Sequence, residues 1–222
     1  MADELVFDRE AAAQYEAWFD TRDGQRVDRL EQDLLRHFAA AWAGPQPGTM
    51  LEVACGTGHF ARFFSGQLHW AVTGVDISRP MLEEARARDA AFPVALADGA
   101  ALPFPDRAFD VVTIITALEF MPEPVTALRE ALRVAHRGLL LGALNRWSLH
   151  ALWRRLAGLF VRSPYVSAHF LSAGELHRLI DAAAGTAAVE VEARTAVWPE
   201  VLSFLETSRL PLGAFLAMRV RW

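Results

Sequence analysis

The sequence predicts an α/β fold: a Rossmann-like, seven-stranded, mostly parallel sheet with helices on both faces and an antiparallel hairpin at one edge. Three observations carry that expectation. Short apolar runs alternate with helix-period segments through residues 50–144, the rhythm of a parallel sheet with crossover helices. Glycines cluster at Gly56 and Gly58, where the first run gives way to a helix. After residue 144 the rhythm breaks, and a long connection precedes two late strand-like runs, which suits an antiparallel edge.

Residues 27–42 place Leu30, Leu34, Leu35 and Phe38 at helical spacing, and Gly44-Pro-Gln-Pro-Gly48 ends that helix. Met50–Ala54 reads as the first strand and Phe60–Ser65 as a helix leading to Gly66. Trp70–Val75 is the second strand, ending at Asp76. Pro80 suits a first helical turn and introduces a helix over Met81–Asp89. Pro93–Ala97 is a short third strand. Phe109–Thr116, with Val111, Val112, Ile114 and Ile115, is a fourth strand buried on both faces. Pro124 opens a helix through Val134, and Gly138–Leu144 supplies the fifth strand. A helix at Ser172–Ala184 precedes strands at Ala188–Val197 and Gly213–Arg221. No linker or repeat interrupts this order. The expectation is one domain over residues 1–222, with a helical cover at 1–45 and an inserted cover segment at 145–185.

With 222 residues the chain can bury a substantial core. It is 53% hydrophobic, yet no apolar run reaches the roughly 18 uncharged residues that span a bilayer. The net charge is −5 and the basic residues are scattered, so no nucleic-acid footprint emerges. One cysteine excludes an intrachain disulfide framework and fits a reducing compartment. The acidic start, Met1-Ala-Asp-Glu-Leu, has no secretory pattern. Trp147–Arg162 is basic and apolar; a surface helix with one buried face is the favoured reading over membrane contact. These features predict a cytoplasmic monomer or homodimer, without nucleic acid and without stable membrane insertion.

The chemistry concentrates at three strand ends. Leu51-Glu-Val-Ala-Cys-Gly-Thr-Gly58 runs from strand into helix; glycines there let backbone approach a ligand, and the helix start offers free N–H donors. Asp76 ends the second strand, where a carboxylate can accept from both ribose hydroxyls of a nucleoside. A helix-capping role is the alternative, and Ser78 can serve it instead. Asp98, after the third strand, can accept from an exocyclic adenine amine, or Asp98-Gly99 can simply turn the chain. Cys55 reads as inert packing.

The segment Leu102-Pro-Phe-Pro-Asp-Arg-Ala-Phe-Asp-Val-Val completes a set. Together with Glu52–Gly58, Gly74–Leu82 and Leu118–Phe120, in that order, it resembles the class I S-adenosylmethionine (SAM) dependent methyltransferases. The likeness is to the ubiquinone/menaquinone methyltransferase-like subgroup, and it is dense over residues 50–144. The resemblance implies SAM as cofactor and transfer of its methyl group to a small molecule; a non-catalytic SAM-binding sensor or partner subunit is the alternative. It implies Glu52 beneath the glycine turn, Gly56 and Gly58 along the methionine moiety, and Asp76 at the ribose. Ile77 and Met81 would pack on adenine, with Asp98 at its amine, Gly99 or Ala100 supplying backbone, and Thr116 or Ala117 facing the amino-acid end. In relatives a Tyr-x-x-Trp-Phe patch often lies in a helical cover, which by analogy brings Tyr15, Trp18 and Arg22 over the pocket. Ala54 replaces the usual glycine, tolerable if its φ is negative, and Glu119-Phe120 stands where a Glu-His pair is common.

An NAD-binding turn needs Gly-x-Gly-x-x-Gly. Starting at Ala54 that register meets His59, and starting at Gly56 it meets Ala61. Neither fits, so SAM is favoured over NAD.

No catalytic group is fixed. A general base is needed only if the acceptor must lose a proton. His169, an imidazole in a loop, and Glu119, at a strand's carboxyl end, are the two candidates. Arg146, Trp147, Tyr165 and His169 are candidate acceptor contacts, whereas His59 reads as a packing or capping residue. No metal site is expected.

Overall fold

The computed structural model describes residues 7–42, 44, 46, 48–88, 92–147, 169–198, 210 and 212–222. Helices α1 (Arg9–Phe19) and α2 (Arg22–Ala39) precede the sheet. The chain then runs β1 (Thr49–Val53), α3 (His59–Leu68), β2 (Ala71–Asp76), α4 (Arg79–Ala87), β3 (Val94–Leu96) and β4 (Phe109–Ile115). It continues through α5 (Pro124–Val134), β5 (Ala135–Leu144), α6 (Ala173–Ala184), β6 (Glu190–Ala196) and β7 (Phe215–Arg221). The seven-stranded sheet has the order β3-β2-β1-β4-β5-β7-β6, matching the Rossmann-like expectation. Strands β1 to β5 are parallel, and β7 is antiparallel to both β5 and β6.

Burial explains the layering. Helices α5 and α6 pack Leu128, Ala131, Leu176 and Ile180 on one face of the sheet. On the other, α2 and α3 set Leu34, Leu35, Phe38, Phe63 and Phe64 against Met50, Val111 and Leu140. Local signals set the boundaries. Ser78 caps α4 with Pro80 in its first turn, and Ser172 and Glu175 form a reciprocal capping box on α6.

Some boundaries differ from expectation. Helix α3 runs on through Gly66 to Leu68, because the left-handed residue that ends it is His69 (φ 58°) and not the glycine. Strand β5 starts at Ala135, directly after α5, and its register with β4 shifts between Phe109 and Val111. The basic segment 147–162 lies almost wholly outside the described residues.

The strand order reverses between β1 and β4: β2 and β3 lie on one side, and β4, β5 and the hairpin on the other. Open α/β sheets bind ligands at the carboxyl ends of the strands flanking such a reversal. That is the position of the glycine turn.

Candidate active site

The turn after β1 is tied down from below. Asp76, at the end of β2, accepts from the Gly56 N–H at 2.8 Å through Oδ2 and from the Ser78 N–H at 2.7 Å through Oδ1. Burial raises its pKa, and these backbone donors oppose the rise. The Cys55 N–H donates to the Val75 carbonyl (2.9 Å), and the Gly58 N–H to that of Cys55 (2.8 Å). Ser78 caps α4, as it was expected to be able to, and Asp76, expected at the ribose, also shapes the glycine turn.

The turn needs left-handed backbone. Ala54, Gly56 and Gly58 have φ of 56°, 55° and 80°. The negative φ that would make Ala54 harmless is therefore not what the structure adopts, and Ala54 carries strain that a glycine would not. A side chain at Gly56 would meet nothing within 4 Å, whereas one at Gly58 would press on Phe92 Cζ at 2.7 Å. The open cradle over Gly56 is where a ligand can approach the backbone.

Beneath the turn, Glu52 is buried, its Oε2 has no partner, and burial raises its pKa to about 8 against the opposing charge of Arg62. Thr57 Oγ1 is likewise buried without a partner. Buried polar atoms left unpaired are costly, and both adjoin the open cradle. At the far side, Ile77 is 57% exposed just past β2, an apolar surface offered to solvent, whereas Met81 is buried behind it. Asp98 is exposed and makes a turn, accepting from the Ala100 N–H at 2.8 Å. Gly99 lies against β1, since a side chain there would meet Val53 Cγ1 at 3.0 Å. Thr116, φ 48°, donates its N–H to the Gly142 carbonyl at 2.8 Å at the end of β4.

The N-terminal cover reaches this turn through an ion-pair cluster that the motifs do not mark, Glu16 with Arg62 and Arg88, and through its aromatic residues. Buried Glu16 on α1 pairs with Arg62 of α3 at 3.0 Å and with Arg88, just past α4, at 3.3 Å. Arg62 Nη1 also donates to the Thr57 carbonyl at 2.7 Å, inside the turn. Tyr15 and Trp18 pack edge-on against Phe19, which stacks on the His59 ring at 3.6 Å. His59 Nε2 meets Asp28 of α2 at 2.7 Å, so this histidine joins both cover helices to the start of α3. Trp18 is exposed, and Arg22, also exposed, makes no hydrogen bond or ion pair among the described residues. One signal for Glu16 was visible: an acid inside an aromatic patch.

Glu119 sits in the short 3-10 turn after β4, 3% exposed. One oxygen accepts from the Leu144 N–H at the end of β5, and Oε2 has no partner. Burial lifts its pKa to about 7. His169 is exposed, and its backbone N–H donates to the Glu119 carbonyl at 2.9 Å. Arg146 pairs with Glu175 at 2.7 Å, Trp147 is exposed, and Tyr165 lies outside the described residues. Among the described residues no group of side chains is arranged to hold a metal ion.

This sheet order, with a glycine turn at the reversal point and an acid ending β2, defines a Rossmann-like nucleoside-binding domain. Comparison with known proteins narrows the class. The methyltransferase domain family matches residues 51–141. An uncharacterized protein of Methanocaldococcus jannaschii is 35% identical over 79% of this chain and 78% of its own length. The ubiquinone/menaquinone biosynthesis C-methyltransferase of a Ruegeria species is 41% identical over 44% of this chain and 42% of its own. A possible histamine N-methyltransferase from Thermotoga maritima superposes with a TM-score of 0.73 at 25% identity, over 97% of this chain and 98% of that one. Magnesium protoporphyrin IX methyltransferase from Synechocystis, solved with bound S-adenosylhomocysteine (SAH), shares the fold with a TM-score of 0.70 at 16% identity, over 98% and 97%. The chain belongs to the class I SAM-dependent methyltransferases, and SAM is its cofactor.

Proposed function

We propose that the protein moves the methyl group of SAM to a small-molecule acceptor, with Glu119 as general base. Bound SAM supplies an electrophilic methyl: the acceptor's lone pair bonds to the methyl carbon while the sulfur–carbon bond breaks onto sulfur, leaving SAH. The chain's own residues position and enclose. In this reading Asp76 holds the ribose through its remaining lone pairs, and Asp98 and Ile77 meet the adenine. Gly56 and Gly58 admit the methionine moiety, and Glu52 receives its amino group. Helices α1 and α2 form the cover, closed by Glu16 and His59, over a single domain spanning residues 1–222.

The observation that carries catalysis, rather than mere binding, is Glu119. A buried carboxyl with one oxygen anchored and one free, titrating near neutrality at the strand end beside the turn, is equipped to take a proton. His169 is the weaker candidate because it is exposed and touches Glu119 only through backbone. Relatives named as a ubiquinone/menaquinone biosynthesis C-methyltransferase and a 2-methyl-6-phytyl-1,4-hydroquinone methyltransferase support an acceptor of small-molecule size. No helix among the described residues is long and apolar enough to cross a membrane, and the lone, buried Cys55 suits a reducing cytoplasm. We take the working form to be a monomer or homodimer.

The test is SAH formation from SAM with a panel of quinols, phenols and amines. Turnover that Glu119→Gln abolishes, with SAH affinity retained, supports the reading. SAH binding without turnover on any acceptor makes the protein a SAM sensor.

A further inference from the structure

Glu31 occupies a position that α2 otherwise gives to the core. Leu34, Leu35 and Phe38 follow it at three, four and seven residues and are fully buried. Glu31 itself is 7% exposed and, among the described residues, has neither a hydrogen-bond nor an ion-pair partner.

Three contacts fix where this stretch of α2 lies. Asp28, one turn earlier, meets His59 directly after the glycine turn. Arg26 Nη2 donates to the Trp198 carbonyl just past β6, at 3.0 Å. Helix α2 also packs on β5 and β7. Glu31 therefore stands over the carboxyl ends of the strands, beside the cofactor turn. Glu119 stands just past the end of β4 and is bonded to the last residue of β5, a strand on which α2 packs, and its charge acts on Glu31.

One further atom points to a ligand: Glu119 Oε2, an acceptor, is buried without a partner at this same edge. The nearby arginines do not neutralise the acids: Arg62 and Arg88 are committed to Glu16, and Arg26 to a carbonyl. A buried carboxylate without a counter-charge is strongly unfavourable. Two of them at one edge of the sheet are satisfied by a cation that arrives with the substrate.

We propose that Glu31 and Glu119 form a subsite for a cationic nitrogen, and that the methyl acceptor is an amine. This rests on the methyltransferase reading above and names its substrate class. The bound ammonium gives one proton to Glu119, and the freed nitrogen lone pair forms the bond to the methyl carbon as the sulfur–methyl bond breaks onto sulfur. The N-methyl product keeps its positive charge, SAH leaves neutral at sulfur, and Glu119 passes its proton to water. A neutral quinol gains nothing from a second buried acid.

The experiment is calorimetry on the SAH complex with matched pairs: 2-phenylethylamine, tryptamine and cyclohexylmethylamine, each against the alcohol of the same skeleton. At least one amine is expected to bind about tenfold or more tightly than its alcohol, as one charge-assisted contact gives. Glu31→Gln should erase that preference while leaving SAH affinity unchanged. Glu31→Gln removes an unpaired buried acid at constant volume, so its melting temperature should hold or rise; if it fails to fold, Glu119→Gln replaces it. Equal binding of amine and alcohol, no binding by any amine, or an undiminished preference in Glu31→Gln refutes the proposal. If Glu31→Gln weakens SAH as much as amine, the acids serve the cofactor's ammonium, and the acceptor assignment is wrong. If the wild type does not bind SAH at all, the underlying methyltransferase reading fails instead.

Discussion

Replacing Asp76 by asparagine isolates the carboxylate that shapes the cofactor turn. Its two oxygens accept from Gly56 and Ser78 at 2.8 and 2.7 Å. Asparagine keeps one acceptor and turns its NH2 toward the other donor, so one charge-assisted bond is lost and a backbone N–H is left facing a donor. Bonds to a charged group contribute about 1.5–3 kcal/mol each. Burial already disfavours the Asp76 charge, and removing it recovers part of that cost. Asp76→Asn should therefore lower unfolding free energy by about 1.5–2 kcal/mol. Urea unfolding followed by tryptophan fluorescence measures this, and calorimetry with SAH should show a Kd raised about tenfold or more, the cost of one such bond at the ribose as well. A variant with an unchanged urea midpoint and unchanged SAH affinity would refute both the anchoring and the ribose assignment.

Gly58→Ala should weaken SAH binding and cost about 1–2 kcal/mol, because the new methyl meets Phe92 and φ is positive; urea unfolding and calorimetry check both. Ala54→Gly should do the opposite in a small way, raising the unfolding free energy by up to about 1 kcal/mol, since relief at φ 56° outweighs the added chain entropy. A clear loss of stability would contradict the left-handed assignment. Glu16→Gln should raise the KM for SAM with little change in acceptor KM, because α1 loses its hold on Arg62 and thereby on the Thr57 carbonyl. Steady-state kinetics with each substrate varied will tell. The raised pKa values of Glu31, Glu52 and Glu119, about 8, 8 and 7, mean that the folded state binds more protons than the unfolded state above about pH 4.5. Their stabilising contribution is complete below that pH and lost as pH rises toward 8. Urea midpoints should fall from pH 5.5 to pH 8, and Glu52→Gln should flatten the slope.

Much of this protein is legible in the chain itself. Apolar runs of strand length, separated by helix-period segments, leave no architecture but a layered parallel sheet. Glu52–Gly58, Asp76 and Asp98 are local signals at strand ends, and each lands at the carboxyl edge that the topology makes a ligand site. Glu31 was also written there, as an acid at a core position of the Leu34-Leu35-Phe38 stripe, yet a periodicity reading that seeks apolar residues slides past it to Leu30.

Tertiary structure alone decided the rest. That Asp76 reaches across to Gly56, that Glu16 on α1 grips Arg62, and that Glu119 binds Leu144 with one oxygen and leaves the other unpaired all depend on residues far apart in sequence. The sign of φ at Ala54 is likewise set by the turn rather than by the residue. Spacing along a chain encodes which face a side chain takes within its own element. A buried carboxyl oxygen left without a partner, the property that marks Glu52 and Glu119, arises only when separate elements close over one another and exclude water.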